Sequence, residues 1–131
     1  MSKSTYLKAF NTLFIDFMED VKTIFPEDKN IKLAQSSFET IKKANPTIVI
    51  KTWFKYVTTK YGKEIEKGNL DYFVEKDYSE DLTKLSNSGD IIKSIDAVRE
   101  PIKNMSETNK AHTLEYIQKL CKLSEAYISL A

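Results

Sequence analysis

The sequence has little of several residue types on which catalysis, metal binding and covalent cross-linking depend. Its 131 residues include one cysteine, one histidine, three glycines and three prolines. The single cysteine, Cys121, excludes an intramolecular disulfide and predicts a reducing, intracellular environment. One cysteine and one histidine cannot supply a four-ligand zinc site, and three scattered glycines exclude a glycine-rich phosphate loop. We therefore predict no metal and no cofactor.

The chain also lacks a strong net charge and a long apolar run. A net charge of +1 gives no overall field that would draw the protein to DNA or to an anionic membrane. The single arginine, Arg99, argues against sequence-specific reading of base edges. No apolar run approaches the roughly 18 residues that cross a bilayer, and residues 1–5 are polar and lack the apolar core of a signal peptide. We expect an intracellular protein with no membrane insertion.

A nucleophile and a base at catalytic spacing are missing as well. His112 and Cys121 lie nine residues apart on one predicted helix. That spacing separates them by about 13 Å, which is too long for a cysteine–histidine pair. We predict no catalytic residue. Carboxylates contributed by several helices would leave no recognisable spacing in the sequence, so a small carboxylate-dependent enzyme remains an alternative.

Apolar residues recur at three- and four-residue spacing along most of the chain, which is the pattern of amphipathic helices. This pattern predicts a single all-α domain, residues 1–131, built as a bundle of five or six helices. Ser4 is the predicted N-cap of the first helix, Asn45 and Pro46 are predicted to start the third, and Pro101 is predicted to end or kink the penultimate one. The predicted helices cover about 5–25, 28–44, 46–61, 88–102 and 107–130, with short helical segments from about 69 and at 79–85.

The helix predicted at about 46–61 is central to the expected core. Residues 47–50 are rich in β-branched side chains and would suit a strand locally. At 100° per residue, however, the apolar side chains from 49 to 61 fall within one arc of about 160°. Thr52 and Thr58 are predicted to lie on the outer side with the lysines. The predicted core residues are Phe10, Phe14, Phe17, Phe38, Val49, Trp53, Val57, Ile95, Leu114, Ile117 and Leu120.

One window of the chain, residues 40–63, contains six lysines and no aspartate or glutamate. Trp53 lies near its centre, but it falls in the apolar arc and is predicted to be a core residue rather than a platform for base stacking. The lysines on the outer side form a candidate face for a protein partner or for nucleic acid, which the acidic stretch 71–81 could instead cover. Four phosphates neutralised by four lysines would give a salt slope of about −3.6, as in weak, nonspecific binding. We call these residues the lysine face: Lys42, Lys43, Lys51 and Lys55.

Four segments of the chain are similar to segments of a known group of viral proteins. They are Lys43-Ala44-Asn45-Pro46, Trp53-Phe54-Lys55-Tyr56, Lys76-Asp77-Tyr78-Ser79-Glu80-Asp81-Leu82 and Arg99-Glu100-Pro101-Ile102. Together they resemble small helical proteins of nucleocytoplasmic large DNA viruses, and the resemblance covers most of the chain. It implies a viral protein made inside the host cell that is either packaged in the virion or active in the viral factory, and it carries over no functional residue.

Three hypotheses about function follow from the sequence. The leading one is a non-enzymatic viral protein, a component of the virion, that acts through contacts with a viral or host protein or with its own copies. The second is an accessory protein that binds nucleic acid weakly and without sequence preference through the lysine face. The third is the small carboxylate-dependent enzyme.

Overall fold

Helices make up the regular elements in the part of the chain that the structure, a computed structural model, describes: residues 2–70, 74 and 97–130. These elements confirm the predicted all-α bundle. Three predictions fall outside the described residues: the helical segments within 71–73 and 75–96, the core residue Ile95 and most of the acidic stretch 71–81. The elements are α1 (Lys3–Ile24), α2 (Lys29–Ala44), α3 (Ile48–Trp53), a π-helical segment (Phe54–Thr58), α4 (Thr59–Glu66), α5 (Arg99–Lys103) and α6 (Glu107–Ser129).

Side-chain caps fix where the first two helices begin. Helix α1 is capped by Ser2, whose hydroxyl accepts the backbone N–H of Thr5 at 3.3 Å, so the prediction that Ser4 is the cap was wrong. Helix α2 is capped by Asp28, whose carboxylate accepts the N–H of Asn30 at 2.9 Å. A carboxylate at this position also interacts favourably with the helix dipole.

The junction between α2 and α3 is a turn rather than the predicted helix start. Helix α3 begins at Ile48, two residues after Pro46. The side-chain oxygen of Asn45 accepts both the backbone N–H and the hydroxyl of Thr47, at 3.3 and 3.0 Å. Asn11 of α1 donates its side-chain amide to the Pro46 carbonyl at 3.1 Å, which attaches the turn to the first helix.

The third predicted helix differs from expectation because it contains a π-helical turn and continues to Glu66. The backbone N–H of Thr59 bonds to the carbonyl of Phe54, an i→i+5 bond that takes one residue more than an α-helical turn. The Thr59 hydroxyl donates to the Lys55 carbonyl at 2.6 Å. The turn therefore changes the direction of every side chain that follows it, relative to a continuous α-helix.

Two threonines predicted to lie on the outer side of this helix are buried. Thr52 is 3% exposed, and it lies only about 60° from Val49 around the helix, so the packed arc is wider than predicted. Thr58, in the π-helical segment, is 6% exposed, and its hydroxyl forms a hydrogen bond of 2.8 Å with the hydroxyl of Ser124 on α6. Both threonines are polar, and the spacing of apolar residues alone wrongly predicts that they are exposed to solvent.

An aromatic cluster occupies the centre of the core, with Phe14 as its hub. The Phe14 ring stacks on Phe38 with centroids 4.7 Å apart and meets Trp53 edge-on at 6.0 Å. Phe10 lies 6.1 Å from Phe14 and 6.2 Å from Trp53. Leu114, predicted to be a core residue, is half-buried at the margin of the core. The predicted core residues that are at most 1% exposed are Phe10, Phe14, Phe17, Phe38, Val49, Trp53, Val57, Ile117 and Leu120.

Helix α6 contacts most of the other described elements. It packs along α1 and also contacts α3, the π-helical segment and α4, while α2 packs on α1. Pro101 is the third residue of α5, in the first turn, where a backbone N–H has no helical partner to lose. Most of the helix that Pro101 was predicted to end or kink lies outside the described residues. None of the helices in the described ranges has both the length and the apolar composition needed to cross a membrane.

Candidate contact surface

The lysine face spans the end of α2 and the outer side of the third helix. Lys43 in the last turn of α2 is exposed and Lys42 is half-buried, and both lie where positive charge interacts favourably with the helix dipole. Lys51 of α3 and Lys55 of the π-helical segment are exposed. Lys51 points outward because it lies about 200° around the helix from the buried Trp53.

The ion pairs between described residues lie away from the lysine face. They join acids and lysines three residues apart within one helix or turn, at 3.5 to 4.0 Å, and each is at least partly exposed. None of them includes a lysine-face residue, so these four side chains form no ion pair within 4.0 Å with an acid in the described ranges. The pairs are Glu19–Lys22, Glu64–Lys67, Glu100–Lys103 and Glu107–Lys110.

The π-helical turn adds a lysine that the sequence did not place on this surface. The ammonium nitrogens of Lys55 and Lys60 lie 5.3 and 5.4 Å from the centroid of the same ring, that of Tyr56. In a continuous α-helix, side chains five residues apart diverge by about 140°, but the i→i+5 turn brings them to a common side. We call the resulting row of Lys51, Lys55 and Lys60 the basic strip.

Two aromatic side chains of this region, those of Trp53 and Tyr56, are not available for stacking on bases. Trp53 is fully buried against two phenylalanine rings of α1, and Tyr56 is only 7% exposed beneath the two lysines. Proteins that bind single strands without sequence preference combine lysines with exposed aromatic rings. Here the lysines are exposed, whereas the rings of Trp53 and Tyr56 are packed and those of Phe54 and Tyr61 are half-buried.

A second charged surface, which sequence reasoning missed, lies between α1 and α6. It is a depression of about 350 Å³ whose lining includes the exposed acids Asp16, Asp20 and Glu115 together with Tyr116 and Lys119. The Tyr116 hydroxyl donates to the Asp20 carboxylate at 2.6 Å. This bond and, to a smaller extent, burial and the charges of Asp20 and Asp16 raise the pKa of Tyr116 to about 12. We call this surface the acidic groove.

A small polar cluster lies inside the protein where the π-helical segment meets α6. The Ser124 hydroxyl bonds to Thr58 and donates to the Cys121 carbonyl, both at 2.8 Å. Burial raises the pKa of the Cys121 thiol, while the polar groups of Thr58 and Trp53 act in the opposite direction. A buried thiol with a raised pKa is a poor nucleophile, so this cysteine serves packing.

Among the described residues, the single histidine and the single cysteine are not brought together, and no metal centre is assembled. His112 is exposed on α6 whereas Cys121 is buried, so the two do not pair. No group of three histidine, cysteine, aspartate or glutamate side chains in these ranges is arranged to hold a metal ion. No protein-family profile, curated protein or solved structure matches the chain.

Proposed function

We propose that the protein is a non-enzymatic helical protein that acts through contacts with other proteins, and that the lysine face is its contact surface. The observation that carries the proposal is the exposure of Lys43, Lys51 and Lys55 without an ion-pair partner among the described residues. A patch of one charge speeds encounter with a partner of opposite charge and fixes its orientation. The expected partner is a protein surface rich in aspartate and glutamate.

Weak, nonspecific binding of nucleic acid through the same lysines is less well supported. The burial of Trp53 removes the most effective stacking side chain, and Tyr56 is covered. Fluorescence anisotropy with labelled DNA at low and moderate salt tests this alternative directly. Binding that weakens with salt and is lost on charge reversal of Lys51 and Lys55 would favour nucleic acid over protein as the partner.

The resemblance to small proteins of large DNA viruses extends the proposal to a place of action. On this proposal the chain is a viral product made in the host cytoplasm or the viral factory and packaged in the virion. Quantitative mass spectrometry of purified virions against infected-cell lysate tests it. Enrichment in virions supports packaging, whereas detection in the lysate alone would contradict it.

The contact function is tested by reversing charge on the lysine face. We expect Lys51→Glu combined with Lys55→Glu to remove partner proteins that copurify with the tagged wild-type chain. The matched control is Lys29→Glu with Lys32→Glu, which makes the same charge change on exposed positions of α2. Circular dichroism of both variants establishes that the fold is retained.

Two results would contradict the proposed function. One is an unchanged set of copurifying proteins for the lysine-face variant, because the face would then play no part in recognition. The other is turnover of a small substrate that a single substitution abolishes without unfolding the protein, because the chain would then be an enzyme.

A further inference from the structure

The surface of the described chain carries two compact regions of opposite charge. The basic strip presents three lysines along one side of the third helix, from Lys51 through Lys55 to Lys60. The acidic groove presents Asp16, Asp20 and Glu115 from two other helices, with Lys119 as the lysine in its lining. The net charge of +1 does not reveal either region, because the positive and negative charges of the two regions cancel in the sum.

The two regions face away from each other. Phe14 of α1 and Trp53 of α3 meet in the core with their ring centroids 6.0 Å apart. Asp16 lies about 200° around α1 from Phe14, and Lys51 lies about 200° around α3 from Trp53. Each charged region is therefore on the outer side of a helix whose inner side is packed into the same aromatic cluster. The strip and the groove of one molecule cannot meet.

We propose that the basic strip of one copy docks into the acidic groove of a second copy. The inference rests on the proposed function, since it takes two lysine-face residues as contact residues and names a second copy of this chain as their partner. Such a contact uses two different surfaces and is heterologous. Repetition of a heterologous contact produces either a closed ring or an open chain of molecules.

The spacing of the charges matches as well as their sign. Lys51 and Lys55 are four residues apart on one helix, and Asp16 and Asp20 are four residues apart on another, so both pairs are separated by about 6 Å along their helix axes. Lysines interact with carboxylates as point charges and need no planar fork. The apolar stem of a lysine can lie against the Tyr116 ring while its ammonium group reaches a carboxylate.

The acidic groove also decides against nucleic acid as the occupant of this interface. A phosphate chain would be attracted by the strip and repelled by the groove, whereas a second copy is attracted at both surfaces. Exposed ion pairs are weak individually and are screened by salt. The association is therefore expected at low ionic strength and high protein concentration and is reversed by added salt.

Sedimentation velocity on the full chain and on two neutralised variants tests the proposal. The strip variant carries Lys51→Gln and Lys55→Gln, and the groove variant carries Asp16→Asn and Glu115→Gln. Asp20 is left unchanged because it accepts the Tyr116 hydrogen bond. We expect the wild-type chain to sediment faster as its concentration rises at low salt, and each variant alone to remain a monomer.

An equimolar mixture of the two variants gives the sharpest result. The groove variant keeps its strip and the strip variant keeps its groove, so one contact can form between them and no further copy can add. We expect a species of twice the monomer mass and none larger. A control with Lys29→Gln and Lys32→Gln should associate as the wild type does.

Each other outcome overturns the self-association. A wild-type chain that stays monomeric at low salt has no such contact, and a mixture that stays monomeric does not use these two surfaces. Either variant associating alone as strongly as the wild type would place the interface elsewhere. The proposed function fails separately, when the lysine-face variant retains all copurifying proteins.

Discussion

Replacement of the single tryptophan by alanine tests the assignment of this side chain to the core. Trp53 is fully buried, and its ring contacts Phe10 and Phe14 edge-on at 6.2 and 6.0 Å. Trp53→Ala would leave a cavity between α1 and the third helix that the surrounding rings cannot fill completely. Trp53 is not a lysine-face residue, so its substitution should change the stability of the protein and leave the charge of the lysine face unaltered.

The expected loss is about 3–5 kcal/mol of the free energy of unfolding, which combines lost transfer free energy with the cost of the cavity. Edge-on aromatic pairs contribute about 0.5–1.5 kcal/mol each beyond their buried area, and Trp53 makes two. Domains of this size have a total stability of about 5–15 kcal/mol. The variant should therefore lose a large part of its stability and melt about 10–20 °C lower.

Urea unfolding followed by far-ultraviolet circular dichroism measures the loss without relying on tryptophan fluorescence. At a typical slope, a loss of this size lowers the urea midpoint by about 2 M. Leu33→Ala is the matched control, since Leu33 is 66% exposed and its truncation should change stability by less than about 0.5 kcal/mol. Because the chain has one tryptophan, wild-type fluorescence adds an independent measurement: emission should be blue-shifted and resistant to acrylamide until the protein unfolds.

Two results would refute this assignment. The first is a Trp53→Ala variant whose urea midpoint equals that of the wild type. The second is wild-type emission that acrylamide quenches as readily in the native protein as in the unfolded one. Either would mean that the indole is in solvent, where it could stack on bases, and the nucleic-acid alternative would regain its main support.

Three further predictions concern single side chains. The bond to Asp20 raises the pKa of Tyr116 in the folded protein from 10.0 to about 12. The stabilisation that this bond provides is therefore present below pH 10 and is lost as the pH rises to about 12. In urea titrations, Tyr116→Phe should be less stable than the wild type near neutral pH by less than about 1 kcal/mol, and it should lose less stability than the wild type over that alkaline range. Cys121 is buried and the pKa of its thiol is raised, so a thiol reagent should label the native protein far more slowly than the urea-unfolded chain, and equal rates would contradict the burial. Asn11→Ala removes the partly buried bond to the Pro46 carbonyl and should lower the free energy of unfolding by about 1 kcal/mol; an unchanged urea midpoint would show that this bond contributes nothing.

The helices could be predicted from the sequence because their apolar residues repeat at a spacing that one helix face requires. Phe10, Phe14 and Phe17 follow that spacing along α1, and each is buried. The three- and four-residue spacing of apolar side chains predicts which apolar residues are buried, but it says nothing about polar residues. Thr58 is a polar residue that is buried because Ser124 supplies its hydrogen-bond partner, and no pattern within 46–61 contains that partner.

The acidic groove could not be predicted for a related reason. Asp16 and Glu115 are about a hundred residues apart in sequence, and they come together because α1 packs along α6. Periodicity identifies which side of each helix is inside, but it does not determine which helix lies beside which. Lysines within a single helix were accessible to sequence reasoning, whereas a surface formed by two distant helices required the fold.

The π-helical turn links the buried and exposed sides of the third helix. On the inner side it places the Thr58 hydroxyl against Ser124, and on the outer side it brings Lys60 beside Lys55 over the Tyr56 ring. A π turn gives up regular α-helical bonds and persists where other contacts compensate, as the bond from the Thr59 hydroxyl to a backbone carbonyl does here. Because the interior contacts hold the turn, the two lysines would be positioned before the partner that we propose arrives, which would lower the conformational cost of binding.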